Sequence, residues 1–212
     1  MPRSKLDFKK ERIKEFFETL KAKKGSETNE IEKEIIRSGM VYIQMCLPIS
    51  DISEKFEASL KKRIEQNYIQ AHIRVATEDD LASIMNLYNK SWLTSNTPFR
   101  PIQIDALKVI IEDPDSTFLI AKVYGKDAGF VILDFDKEIA VIAGLGVLPR
   151  FQRKGLGTIL GLAIWNYLKE KSIQELRCEV YKDNKASYAF IKGLGFKEYG
   201  KVVYTKADFS NN

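Results

Sequence analysis

One stretch of the chain combines residue types and spacing that suit anion chemistry: Gln152-Arg-Lys-Gly-Leu-Gly157. Gly155 and Gly157 lack side chains, so the backbone there can turn sharply and approach a ligand closely. Arg150, Arg153 and Lys154 add positive charge. A helix starting here offers amides with no partner inside the helix, and these, with the helix dipole, suit a phosphate. A Walker loop needs Gly-Lys-Ser/Thr after four spacers, and this turn ends Gly-Leu-Gly-Thr158. Gly144-Leu-Gly146 is followed by Val-Leu-Pro, which breaks the dinucleotide fingerprint.

The elements around this turn are legible. Ala140 to Leu148 is uncharged and apolar, as a strand buried on both faces would be. Pro149 ends it. Leu156, Ile159, Leu160, Ala163, Ile164, Tyr167 and Leu168 form the stripe of an amphipathic helix reaching Lys171. Upstream, His72 to Ala76 alternates as a strand, and Thr77-Glu-Asp-Asp80 caps a helix with Leu81, Ile84, Met85 and Tyr88 on one face. Ser91 to Arg100 is a loop, and Pro101 starts a helix reaching Glu112. Thr117–Tyr124, Asp127–Leu133 and Glu138–Leu148 are strands joined by tight turns, hence antiparallel neighbours. Gln174 to Tyr181 is a strand that returns after a helix, so it should lie parallel to the central one. Asp183-Asn-Lys-Ala-Ser opens a helix through Lys192, and Phe196 to Lys206 reads as a strand pair turning about Gly200.

This order, with Gln-x-x-Gly-x-Gly after a strand ending Val-x-Pro, resembles the coenzyme A loop and fold of the GNAT N-acetyltransferases over residues 71–206. Asn184-x-x-Ser-x-x-Phe-Ile-x-x-x-Gly-Phe196 is similar to that family's C-terminal Asn-x-x-Ala-x-x-Leu-Tyr-x-x-x-Gly-Phe run. The implied fold is α/β (α+β): a mixed, mostly antiparallel sheet flanked by helices. The implied reaction is direct transfer of acetyl from acetyl-CoA to a primary amine, on a peptide N-terminus or a small molecule. The resemblance assigns the backbone of Leu145, Gly146 and Val147 to the pantetheine arm. It assigns amides of Gln152, Arg153, Lys154, Gly155, Leu156, Gly157 and Thr158 to the pyrophosphate. The Asn184 amide would cap a helix or reach the arm, and Lys185, Lys192, Arg150 and Arg153 could meet the 3′-phosphate.

An attacking amine must lose a proton, so the reaction needs a base or a water chain. Glu179 is the expected base, at the offset before Asn184 that resembles ribosomal-protein-type acetyltransferases. Glu138 and Asp134 are weaker rivals near the meander turn. Family members commonly carry a Tyr acid seven residues after the Asn, where this chain has Ile191. Tyr188, three residues earlier, could substitute or could be core. This departure leaves a second reading open, a coenzyme-binding or partner-docking module with impaired catalysis.

Composition bounds the rest. The chain has 212 residues, 44% of them hydrophobic, enough for a real core. The single His72 argues against a histidine-rich metal site and a Ser-His-Asp hydrolase. Cys46 and Cys178 are far apart and read as buried free thiols, so no metal and no covalent intermediate is expected. The net charge of +5 is spread as 15 basic and 12 acidic residues in 1–70, and 19 and 17 in 71–212. Nucleic-acid binding therefore has no strong footprint. No apolar run reaches the length of a membrane span and the first thirty residues are studded with charge, so a cytoplasmic protein is expected.

Residues 1–70 read as a helical extension to a domain at 71–212. Leu6 to Leu20 carries Ile13, Phe16 and Phe17 on one face, and Gly25 marks a break. Glu27 to Ser38 is a second helix. Asp51-Ile-Ser-Glu54 caps a third, to about Asn67, with Phe56, Leu60, Ile64 and Tyr68 inward. Met40 to Leu47 could extend a helix or form a strand. This region is expected to pack on the following domain or on a second copy; a homodimer is left open. The amine acceptor would be set by the Ser91–Arg100 loop, the Gly200 turn and these helices.

Overall fold

The computed structural model describes residues 7–22, 29–66, 69–95, 97–98 and 101–209. Leu6, Gly25, Glu27, Asn67, Tyr68 and Arg100, named above, lie outside them. The chain opens with helices α1 (Asp7–Ala22) and α2 (Glu30–Ser38), strand β1 (Met40–Pro48) and helix α3 (Glu54–Glu65). Strand β2 (Ala71–Val75) and helices α4 (Leu81–Trp92) and α5 (Ile104–Ile111) follow. Next come the meander β3 (Ser116–Val123), β4 (Lys126–Asp136) and β5 (Ile139–Val147), then helix α6 (Leu156–Leu168). Strand β6 (Glu175–Tyr181), helix α7 (Lys185–Gly193) and strand β7 (Lys197–Tyr204) complete the order.

Among the described residues, seven strands form one sheet in the order β2-β3-β4-β5-β6-β1-β7. The β5–β6 pair is parallel, from Ile139↔Glu175 to Ile142↔Cys178. Every other pair is antiparallel. The expected mixed, mostly antiparallel sheet flanked by helices is therefore the fold. No helix among the described residues is long and apolar enough to cross a membrane.

Two apolar cores cover the two faces. On one, α6, α7 and α3 pack through Leu160, Ile164, Trp165, Ile191, Leu194 and Leu60 against inward strand residues such as Leu176, Cys178 and Val180. On the other, α4 and α5 pack through Ile84, Leu87, Tyr88 and Leu107 on Ile120, Phe130 and Ile132. A third cluster joins α1 to the far end of that second face, with Ile13, Phe16, Phe17, Met40, Tyr42, Tyr181 and Tyr204 buried together.

The N-terminal region departs from expectation. It is not purely helical: Met40–Pro48 is a strand, and it lies inside the sheet between β6 and β7. The sheet thus runs across the boundary expected at residue 70. The pair expected about Gly200 is one strand, bulged opposite Gln44/Met45, whose partner is β1. Apolar alternation could not reveal a partner drawn from the other end of the chain. Two boundaries also differ. Ser53, not Asp51, caps α3, its side chain accepting from Phe56 N. The helix expected to start at Pro101 begins at Ile104, with Gln103 before it.

Candidate active site

The β5–β6 ladder stops at Ile142↔Cys178, although both strands continue. The cause lies on the other edge of β5. Its register to β4 passes from Leu133↔Ile142 to Ile132↔Gly144, leaving Ala143 as an extra residue. Such a bulge bends its strand and raises the local twist. Beyond Ala143, β5 therefore diverges from β6 and a gap opens.

Backbone alternation decides which groups line that gap. Leu148 donates its N–H to Ala128 O at 2.9 Å. Antiparallel ladder bonds recur at every second residue, so Gly146 turns its backbone toward Phe130, while Leu145 and Val147 turn theirs into the gap. Of the three expected arm residues, two therefore present backbone groups. Gly146 has another reason to be glycine: a β-carbon there would sit 2.4 Å from the Phe130 ring and 2.8 Å from Ser91 Cβ. Ser91 Oγ is buried beside it without a hydrogen-bond partner among the described residues.

On β6, Lys182 N donates to Val41 O at 3.0 Å and Ile49 N to Gln174 O at 2.8 Å. Even-numbered β6 residues therefore face β1, and the carbonyl of Glu179 points into the gap. Leu176, Cys178 and Val180 belong to the α6 core, so Glu179 presents its side chain to the opposite, α1-covered face.

After β5 the chain makes a single 3₁₀ turn at Pro149–Phe151. Arg153 (φ 57°) and Gly155 (φ 85°) both adopt left-handed backbone, and α6 begins at Leu156. Among the described residues no side chain caps α6, and no acidic residue lies in its first turn. Its leading amides and positive dipole end are thus available beside exposed Arg153 and Lys154. Gly157 packs on α7, where a β-carbon would lie 3.0 Å from the Phe190 ring. Gln152 Nε2 donates to Val147 O at 2.9 Å and to Thr94 Oγ1 at 3.0 Å, joining the turn to the strand end and to the loop after α4.

The carboxylate of Glu179 is fully engaged. Gln44 Nε2 donates to Oε1 at 3.2 Å, Tyr204 Oη to Oε2 at 3.1 Å, and Lys9 Nζ lies 3.3 Å from Oε2. Lys9 also donates to Glu179 O at 2.7 Å. Its ammonium sits over the Tyr42 ring, 4.5 Å from the centroid. Burial pulls Lys9 down to about 8, against the attraction of Glu179. Burial also raises Tyr42 and Tyr204 above the usual tyrosine range, with the Glu179 charge adding to both. Sequence reasoning named Glu179 but not the residues around it, Lys9, Tyr42, Gln44 and Tyr204. Gln44, a polar residue inside an apolar run, was the only visible signal among them.

Other expected residues take different places. Asn184 Oδ1 accepts from Ser187 N at 3.0 Å as a helix cap, while Nδ2 donates to Ser95 Oγ and Thr97 Oγ1, each at 3.0 Å. Its amide ties α7 to the loop after α4. Ile191 is buried in the core. Tyr188 donates to Glu198 on β7, which raises its pKa. Glu198 lies across β1 from Cys178, so that hydroxyl stands two strands away from the gap. Arg177 pairs with Glu175 rather than Glu179. Asp134 accepts from Ser116 Oγ at 2.7 Å, far down β4 from the gap, and Glu138 is exposed at the opposite end of β5. Burial pushes the Cys178 thiol up to about 12, which makes it a poor nucleophile. Among the described residues, no three His, Cys, Asp or Glu side chains cluster to hold a metal.

A bulged central strand, a splayed parallel neighbour and a glycine turn at an uncapped helix define an acetyltransferase-like site. The sequence profile of the Acetyltransferase (GNAT) family matches residues 81–196, more than half of the chain, and the protein belongs to that family. It is 29% identical over 136 residues to an uncharacterised N-acetyltransferase of Methanocaldococcus jannaschii, covering 59% of this chain and 60% of that one. It is 34% identical over 74 residues to the ribosomal protein bS18-alanine N-acetyltransferase of Escherichia coli, covering 35% and 50%. The chain thus spans about half to three-fifths of the length of these relatives. The PaiA N-acetyltransferase of Thermoplasma acidophilum, solved with coenzyme A, shares the fold at TM-score 0.56 and 22% identity, over 64% of this chain and 99% of that one.

Proposed function

We propose that this protein transfers acetyl from acetyl-CoA directly to a primary amine, on a peptide N-terminus or a small molecule. The observation that carries the reading is the gap itself. It opens at Ala143, exposes the backbone of Leu145 and Val147, and runs to the uncapped start of α6.

The residues present fit a coenzyme A arm. Leu145 and Val147 would bond to the pantetheine amides as an added strand would. Amides from Gln152 to Thr158 would hold the pyrophosphate, with Arg153 and Lys154 beside it. Asn184 would reach the arm only by giving up Ser95 or Thr97. The bound coenzyme would supply an activated acetyl thioester. Glu179 would receive the proton of the attacking amine, its carboxylate oriented by Gln44 and Tyr204. With Ile191 in the core and Tyr188 turned to Glu198, the thiolate would leave without a tyrosine acid.

The test is an acceptor screen by mass shift, with and without Glu179→Gln, beside calorimetric coenzyme binding. Turnover that depends on Glu179 supports the reading. Tight coenzyme binding without transfer to any amine favours the impaired-module alternative, which the buried Ile191 also supports. No coenzyme binding removes both.

A further inference from the structure

Helix α1 lies across the gap on the face that Glu179 looks toward. At one edge, Arg12 stacks its guanidinium over Trp92 and Tyr88 of α4, 4.5 and 5.2 Å from the ring centroids. At the other, Lys9 reaches β6. Ile13, Phe16, Phe17 and Leu20, all buried, fix the helix in that position.

The placement of Lys9 differs from that of a surface ion pair. Its side chain is 12% exposed and that of Glu179 7%. Its Nζ donates to the one carbonyl of β6 that faces the gap just beyond the last β5–β6 pair. The same nitrogen lies 3.3 Å from the carboxylate assigned above as proton acceptor. A primary amine thus occupies the spot an acceptor amine must take, with a base beside it.

We propose that Lys9 is a site of self-acetylation, its ε-amine serving as an internal acceptor for this chain's own acetyl-CoA. The inference rests on the acetyl-CoA reading above. Lys9 loses a proton to Glu179, and its lone pair attacks the thioester carbonyl carbon. A C–N bond forms and the C–S bond breaks. A second proton, carried in excess by the nitrogen after attack, ends on sulfur, and Glu179 passes the first to solvent, leaving acetyl-lysine and free coenzyme A thiol, with no other reactant.

The surroundings bring the neutral amine closer than it is for a surface lysine, the pKa being drawn down to about 8. Burial opposes the ammonium more strongly than Glu179 and Cys178 on β6 support it, and Arg12 on α1 opposes it further. Tyr42 on β1 and Tyr204 on β7, the other titratable groups there, remain neutral. Once acetylated, Lys9 can no longer form the ion pair, and one of the groups that hold α1 over the gap is lost.

The experiment incubates the full chain with acetyl-CoA and no added amine, then maps acetylated peptides by mass. Proximity predicts that Lys9 is modified at least about tenfold faster than Lys126, an exposed lysine at the start of β4. The rate should be independent of protein concentration and should slow at Lys9 alone in Glu179→Gln. Equal rates at Lys9 and Lys126, or a Lys9 rate that grows with protein concentration, would overturn the proposal. Coenzyme binding and turnover of an external amine are measured on the same sample. If both occur while Lys9 stays unmodified, only this inference falls; if the coenzyme does not bind, the reading beneath it falls. A second readout needs no coenzyme: Lys9→Gln should speed hydrogen exchange of the α1 amides. Unchanged exchange would remove Lys9 as the anchor of α1, and the proposal with it.

Discussion

Two walls meet at the gap, and they are built differently. The β5 wall is local: strand, turn and helix follow one another from Ile139 to Leu168. The β6 wall is assembled from distant parts. Lys9 comes from α1, Tyr42 and Gln44 from β1, Glu179 from β6 and Tyr204 from β7. The first wall presents backbone amides and positive charge, as the proposed phosphate site requires. The second presents side chains, a buried carboxylate among them, as the proposed amine acceptor requires. Anion binding can be encoded by a turn, whereas an acceptor pocket needs surfaces that only tertiary structure brings together.

The sharpest way to break this contrast is to remove the strand that builds the second wall. β1 buries Met40, Tyr42, Met45 and Leu47 almost completely. At roughly 1.5–3 kcal/mol each, these four contribute about 6–12 kcal/mol, comparable with the whole stability of a typical domain. Deleting residues 1–48 should therefore leave no cooperative unfolding transition by circular dichroism. Gly157→Arg probes the first wall: it places a long side chain against Phe190 at the start of α6. Coenzyme affinity by calorimetry should fall at least about 100-fold, because the leading amides are blocked.

Glu179→Gln acts on the second wall alone. Its kcat should drop about 10²–10⁴-fold with coenzyme affinity little changed, read by steady-state kinetics beside calorimetry. Lys9→Met separates charge from packing. Above pH 8 the folded Lys9 has lost its proton, while the unfolded lysine keeps it to 10.5. The unfolded state then binds more protons, so stability gains with rising pH across that window. Wild type minus Lys9→Met should climb by about 1–3 kcal/mol from pH 8 to 10 in urea melts. Buried Tyr42, Tyr88 and Tyr204 act in the opposite sense above pH 10 in both proteins, so only the difference is informative. Tyr188→Phe should be the mildest, changing kcat less than about threefold, since its hydroxyl serves Glu198.

The same contrast explains what was legible in the sequence. The turn at Gln152–Gly157, the α6 stripe and the parallel return of β6 were readable because period and turn chemistry are local signals. Glu179 was singled out only by its offset before Asn184, which resembles that of ribosomal-protein-type acetyltransferases. Met40–Pro48 was not, since an apolar run carries no record of which strands it will join. The second strand expected after Gly200 failed for the same reason: its place was taken by a segment about 150 residues earlier in the chain. Lys9 sits among other charged residues of α1, and nothing in its neighbours marks it as buried.

The insertion of β1 between β6 and β7 also has a consequence for biosynthesis. Gln44 and Glu179 are 135 positions apart, so β1 leaves the ribosome long before either of its neighbours exists. Until then Met-Val-Tyr-Ile-Gln-Met-Cys-Leu is an unpaired, uncharged segment of the kind that self-associates. Final docking must wait for the last strand to be translated, which makes completion of the sheet a late event and gives the nascent chain a long interval in need of chaperone cover.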